Sequence, residues 1–166
     1  MKIFVLSQKL NLIQTSRFPV QYTPKKLYKN RVIVGIGGNI GNVIKRFESL
    51  MQIMKKHKRV QITKTSIILK NPPFGFLEQD YFYNTIIEIH TSMNSFEFLK
   101  YLLYLENRFK RKRTIKDGPR TLDLDIIFFN KEVINTKKLK VPHPEWKNRD
   151  SVLIPLSLIP NGLDGV

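Results

Sequence analysis

The feature that narrows the fold most is the order in which two hydrophobic periods alternate after Arg31. Val32 to Ile36 is a short β-branched run ending in glycines, which reads as a buried strand. From Asn42 to Lys56, the residues Val43, Phe47, Leu50, Met51 and Met54 recur at helical spacing. Val60 to Leu69 alternates as a second strand. Asn71-Pro72-Pro73-Phe74-Gly75 ends it, because proline cannot donate to a sheet ladder. Phe82 to His90 reads as a third strand. Ser95 predicts a helix cap, with Phe96, Leu99, Leu102, Leu103 and Phe109 on the apolar face that follows. Leu122 to Phe129 closes the series as a fourth strand. The order β-α-β-β-α-β is the split-βαβ, ferredoxin-like arrangement: an α+β fold with an antiparallel sheet and helices packed on one face. Residues 31–166 are expected to form a single domain. Residues 1–30 are expected to be an N-terminal extension of undefined structure, with Lys2 to Leu6 as its candidate edge strand.

Composition sets the outer limits. A length of 166 residues suits one domain, and 42% apolar residues can fill a core. The absence of cysteine excludes disulfides, zinc–thiolate sites, iron–sulfur clusters and a cysteine nucleophile. Twenty-nine Lys and Arg against 13 Asp and Glu give a formal charge of +16, which favours an anionic partner. No stretch approaches the roughly 18 apolar residues of a membrane span. The run Ile3 to Leu6 is shorter than the roughly 7–15-residue core of a secretory signal. Met1 to Asn30 holds six Lys or Arg and no acid, but lacks the helical periodicity of a transit peptide. A cytoplasmic monomer without a membrane partner is expected.

Asp123 and Asp125 lie in the strand Leu122-Asp-Leu-Asp-Ile-Ile-Phe-Phe. Alternation puts both carboxylates on one face, about 7 Å apart at the α-carbons, and sends Leu122, Leu124 and Ile126 into the core. Two like charges side by side are costly on a half-buried strand unless a hard cation sits between them. Oxygen donors suit magnesium, which is commonly held by one or two carboxylates plus substrate phosphates. The plain alternative is a pair of solvated carboxylates, although aspartate is depleted in strands. Immediately before this strand, Arg108 to Lys116 holds six cations in nine residues and runs into Asp117-Gly118-Pro119-Arg120-Thr121. A charge run is usually a solvated face. Beside a magnesium site, however, it is what phosphoryl transfer requires, since arginine forks neutralise phosphate oxygens.

The segment Gly35-Ile-Gly-Gly-Asn39-Ile40-Gly41-Asn42 lacks the glycine that a dinucleotide fingerprint needs at position 40, and the Lys-Ser/Thr ending of a phosphate loop. It reads as a strand-to-helix turn capped by Asn42, in which Gly37 and Gly38 would let a flat ligand approach the backbone. Pro72-Pro73 can serve as a stiff pocket wall. His143, between Pro142 and Pro144, and the nearby Arg149 add a histidine and an arginine to a rigid loop. His57 and His90 have no motif around them, and no Ser-His-Asp set or metal-ligand histidine spacing occurs.

Gly118-Pro-Arg-Thr-Leu-Asp-Leu-Asp125, Val141-Pro-His143, the Gly37-Gly-Asn39 turn and Pro72-Pro73 together resemble the 6-hydroxymethyl-7,8-dihydropterin pyrophosphokinase family, from about Val32 to Leu158. The resemblance implies the ferredoxin-like fold and a folate-pathway reaction. In it, the β,γ-diphosphate of ATP moves to the hydroxymethyl oxygen of the pterin and AMP is released. It implies that Asp123 and Asp125 hold two magnesium ions, with the nearer aspartate helping to deprotonate the hydroxyl. Asp123, Asp125, Arg111 and Arg113 would be the catalytic set. Arg111, Arg113 and Arg120 would meet the triphosphate, with His143, Arg149, Lys138 and Glu106 completing the ATP site. Asn84 would read the pterin edge, beside Gly37, Asp123 and the backbone of Asn71 and Phe74 near Pro72 and Pro73. Phe82 would stack on the ring.

Four departures from the family pattern stand out. Gly38 replaces a frequent serine, Asp117 replaces a tryptophan, and Ser151 replaces a second stacking aromatic, leaving Trp146 or another ring to compensate. Met1 to Asn30 has no counterpart. The competing reading is a basic RNA-binding module on a ferredoxin-like sheet. Against it, Phe82-Tyr-Asn-Thr-Ile-Ile lacks the aromatic pattern of such sheets, and the paired aspartates would repel phosphate. No nucleic-acid partner is therefore expected.

Overall fold

The computed structural model describes residues 1–24, 28–111 and 118–162. In chain order these give β1 (Lys2–Val5), β2 (Asn11–Gln14), β3 (Val20–Gln21), β4 (Asn30–Gly38), α1 (Val43–Lys55), β5 (Val60–Thr65), β6 (Ile68–Asn71), β7 (Phe82–Thr91), α2 (Ser95–Arg108), β8 (Asp123–Phe129), β9 (Ile134–Asn135), β10 (Lys140–Val141) and α3 (Asp150–Ser157). The central strand is β4, flanked by β7 and β8, and β5 and β6 share the far edge of β7. All pairings are antiparallel, as the ferredoxin-like reading requires.

The single strand expected over Val60 to Leu69 is two. Ser66 interrupts it, because its hydroxyl takes the Ile86 N–H at 2.9 Å in place of a backbone acceptor. The break lets β6 turn toward β2, which continues the sheet into β1, while β3 pairs with β5. Among the described residues, the first thirty therefore contribute three strands to the same sheet: β1 is the edge strand expected over Lys2 to Leu6, and β2 and β3 add to it. Phe18 within them is fully buried in the core.

Both long helices start on asparagine. The Asn42 side chain accepts the Lys45 N–H at 3.0 Å. Asn94 and Glu97 form a reciprocal capping box, at 2.9 Å in both directions, so the cap of α2 is Asn94 and not Ser95. That cap turns Phe98, Tyr101, Leu102 and Leu105 inward, whereas Phe96 (41% exposed) and Leu103 (44%) face solvent. With α1, these residues cover one face of the sheet over Val32, Val34 and Ile36. The other face is not open, as helices on one side only would have left it. Val152 of α3 packs there with Ile33, Ile86, Ile127 and Phe128. Between Ile33 and Val34 the β4–β8 register shifts, and Ile127 is the bulged residue, so Ile127 and Phe128 both serve the α3 side.

Candidate active site

The site lies on the α3 face, where the middle of the sheet has no side chains. Gly35 and Gly37 of β4 share the face of Ile33 and stand opposite Asp125 and Asp123 of β8. On the other side of β4, Gly37 stands opposite Asn84. A Cβ at Gly37 would sit 2.8 Å from the Asn84 Oδ1, and one at Gly35 would sit 3.2 Å from an Ile127 methyl. These glycines thus form a bare floor, above which is a cavity of about 400 Å³. As alternation predicts, Leu122, Leu124 and Ile126 are buried in the opposite core while both aspartates reach the cavity.

The cavity has two chemically distinct sides. Toward β6 and β7 it is lined by Asn71, Pro72, Pro73, Phe74, Phe82 and Asn84. There the Asn84 amide donates to the Asn71 Oδ1 at 2.7 Å, which fixes the pair of amides. Toward β8 it is lined by Arg120, Asp123, Asp125, His143 and Arg149. Arg120 reaches between the two, its guanidinium 5.5 Å from the centre of the Phe82 ring. Across the mouth, Arg149 stands 5.8 Å from the ring of Phe74, which is 72% exposed.

The charges are unevenly compensated. Asp123 is held from both oxygens, by Arg111 at 2.6 Å and Arg120 at 2.5 Å. Glu106, 4% exposed, lies beneath them, bonded to Arg111 and accepting the Leu124 N–H at 2.7 Å. Burial weakens the Arg111 charge, but Glu106, Asp123 and Asp125 outweigh it and raise the guanidinium above its usual range. Asp125 has no ion pair among the described residues. Burial first, and then the Asp123 and Glu106 charges, push its carboxyl up to about 7, against partial relief from Arg111 and Arg149. A buried carboxylate with this deficit, beside a second carboxylate, offers the hard oxygen donors that a divalent cation such as magnesium requires. The residues therefore fit that ion. His143 accepts the Glu145 N–H on Nδ1 at 3.2 Å, so the neutral ring carries its proton on Nε2. Burial, then Arg149, lowers its pKa and keeps it neutral.

Most residues predicted from sequence converge here, with instructive exceptions. Arg111 and Glu106 support the aspartates from behind rather than lining the cavity. Lys138 is exposed between β9 and β10 and does not line it. Arg113 and Asp117 lie outside the described residues. Ser151 is at the wall, but Trp146 packs edge-on against Phe128, 4.9 Å between centres, and does not line this cavity. Gly38 has no room for a serine side chain without movement, since a Cβ would lie 2.6 Å from the Thr121 carbonyl oxygen.

Sequence reasoning missed the floor role of Gly35, whose signal was its two-residue spacing from Gly37. It also missed Asn39. That buried side chain accepts the Arg120 N–H at 2.9 Å and donates to Gln79 and the Asp80 carbonyl, both at 3.0 Å, tying the arginine segment to the loop before β7.

A family model described as 7,8-dihydro-6-hydroxymethylpterin-pyrophosphokinase (HPPK) matches residues 33–161. The 2-amino-4-hydroxy-6-hydroxymethyldihydropteridine pyrophosphokinase of Helicobacter pylori is 43% identical over 149 residues, covering 88% of this chain and 91% of the relative. Its namesake in Campylobacter jejuni is 43% identical over 142 residues, 86% and 90% of the two chains. The one in Bacillus subtilis is 40% identical over 130 residues, 78% of each. The matched residues take in the glycine floor, the paired aspartates and both sides of the cavity, and the chain belongs to the HPPK family.

Proposed function

We propose that this protein transfers the β,γ-diphosphate of ATP to the hydroxymethyl group of 6-hydroxymethyl-7,8-dihydropterin, releasing AMP, in the biosynthesis of tetrahydrofolate. The observation that carries the reading is the two-sided cavity of a family member: fixed amides and an aromatic ring on one side, paired carboxylates among arginines on the other. The pterin edge pairs with Asn84 and Asn71, and its face rests on Phe82. The hydroxymethyl oxygen then points toward Asp123, which lies one strand beyond Gly37 from Asn84. That oxygen bonds to the β-phosphorus, the bond from this phosphorus to the α–β bridging oxygen breaks, and the hydroxyl proton is lost on the Asp123 side.

Two magnesium ions held by Asp123 and Asp125 would supply charge neutralisation on the phosphates and orient the reacting oxygens. Arg111 and Arg120, both paired with Asp123, would bring guanidinium charge to the triphosphate, Arg120 from the cavity wall and Arg111 from behind the aspartates. His143 donates through Nε2, and Arg149 adds charge at the mouth. Arg113 and Lys138 belong to the same ATP-binding reading.

The RNA-binding alternative is disfavoured because α3 covers the sheet face on which bases would stack. No helix of the described residues is long and apolar enough to cross a membrane. A cytoplasmic monomer acting without nucleic acid completes the reading. The test is AMP release from ATP. It should require the dihydropterin and magnesium together, and AMP formation independent of the pterin would overturn the assignment.

A further inference from the structure

One residue of the cavity wall comes from outside the matched family region. Leu10 lines the cavity, whereas the family model begins at residue 33. The hairpin of β1 and β2 brings it there. The pair Asn11↔Lys70 places Leu10, one step further, alongside Asn71, and Asn71 is in turn paired with Phe82. These positions share one face of the sheet, so Leu10 stands two strand spacings from Phe82, or about 10 Å at the α-carbons. Its backbone is fixed, because the Leu10 carbonyl accepts the N–H groups of Leu6 at 2.9 Å and Ser7 at 3.1 Å. Ile3, Phe4, Val5 and Leu6 of the same hairpin are exposed, while Leu10 is half-buried against the site. On its side of the cavity the neighbours are amides, prolines and two phenyl rings, which Arg120 and Arg149 approach from across the cavity, while the carboxylates lie beyond β4.

We infer that Leu10, carried by the N-terminal hairpin, is a specificity residue, supplying an apolar wall to the flat heterocycle at the Asn71–Asn84 end of the cavity. The inference rests on the pterin reading above. Leu10 then contributes to pterin affinity and not to the handling of ATP.

The test is steady-state kinetics on the full chain, varying the dihydropterin and ATP separately. Leu10→Ala and Leu10→Asn should raise the pterin KM by roughly three- to tenfold, with the ATP KM and kcat within about twofold of wild type. Leu10→Met should restore the wild-type value. Val5→Ala, on the same hairpin but 76% exposed, should change nothing, which separates wall contact from hairpin stability. An unchanged pterin KM in Leu10→Ala overturns the inference. So does an equal rise in the ATP KM, or an equal effect from Val5→Ala. A wild-type protein that releases no AMP with pterin, ATP and magnesium overturns the underlying reading instead.

Discussion

Glu88 on β7 and Asp125 on β8 face the same side of the sheet and stand opposite Ile33 and Gly35, two positions apart on β4. Their environments treat the charge in opposite ways. Burial pushes Glu88 up, but hydrogen bonds from Thr63 at 2.6 Å and Arg31 at 2.7 Å, with the Arg31 charge, win and leave it below the usual carboxylate range. Asp125 has burial and two neighbouring acids against it, and only partial relief from arginine. Glu88, answered by Arg31 and Thr63 away from the cavity, is part of the scaffold. Asp125, whose charge the protein answers only in part and which opens on the cavity, is reserved for something that must come from outside.

The largest expected effect breaks the comparison at its functional end. Asp125→Ala should lower AMP release by about a thousandfold or more while the melting temperature holds or rises, because repulsion is removed with the charge. Near-normal turnover at ordinary magnesium would return Asp125 to the scaffold. Next, Arg111→Ala should slow turnover by roughly ten- to a hundredfold, and more than it raises the pterin KM, because the charge it meets is on phosphate. A pterin KM that rises with kcat unchanged would move Arg111 to the other side of the cavity.

The third effect is on stability. Glu88→Gln should cost about 1–2 kcal/mol at neutral pH and leave the kinetics alone. Because the folded state lowers the Glu88 pKa, its contribution is complete above the usual carboxylate range and is lost as pH falls through the folded value. The penalty in chemical denaturation should therefore shrink in acid.

Asp125 carries the opposite sign. Between 3.8 and about 7 the folded chain holds more protons at this site than the unfolded chain, so its contribution falls as pH rises through that interval. Asp125→Asn should stabilise the metal-free protein above pH 7 by a small amount that disappears in acid. Parallel pH profiles for the two variants would erase the distinction between the residues.

The element order from Val32 to Phe129 was legible because period two and period 3.6 are local, and they place Asp123 and Asp125 on one face with no knowledge of the fold. The splitting of the second strand was not legible, since it depends on Ser66 meeting the Ile86 N–H across the sheet. The shift of the α2 cap to Asn94 was readable in principle from Asn94-x-x-Glu97. The α3 cover was hidden by its short length and by Pro155 within it.

What the residues determined alone was the chemistry available: paired acids on a strand, arginines before them, glycines and prolines where a ligand needs bare backbone or a stiff wall. Only the tertiary structure decided how those charges are balanced. Register across β4 set Gly35 and Gly37 against the aspartates, packing of α2 buried Glu106 behind Arg111, Arg31 of β4 met Glu88 of β7, and pairing of β2 with β6 brought Leu10 to the same cavity. Alternation along a strand is fixed by neighbours two residues apart. Compensation of the Glu88 charge depends on Thr63 and Arg31, 25 and 57 residues away, and only chain closure brings those partners within hydrogen-bonding distance.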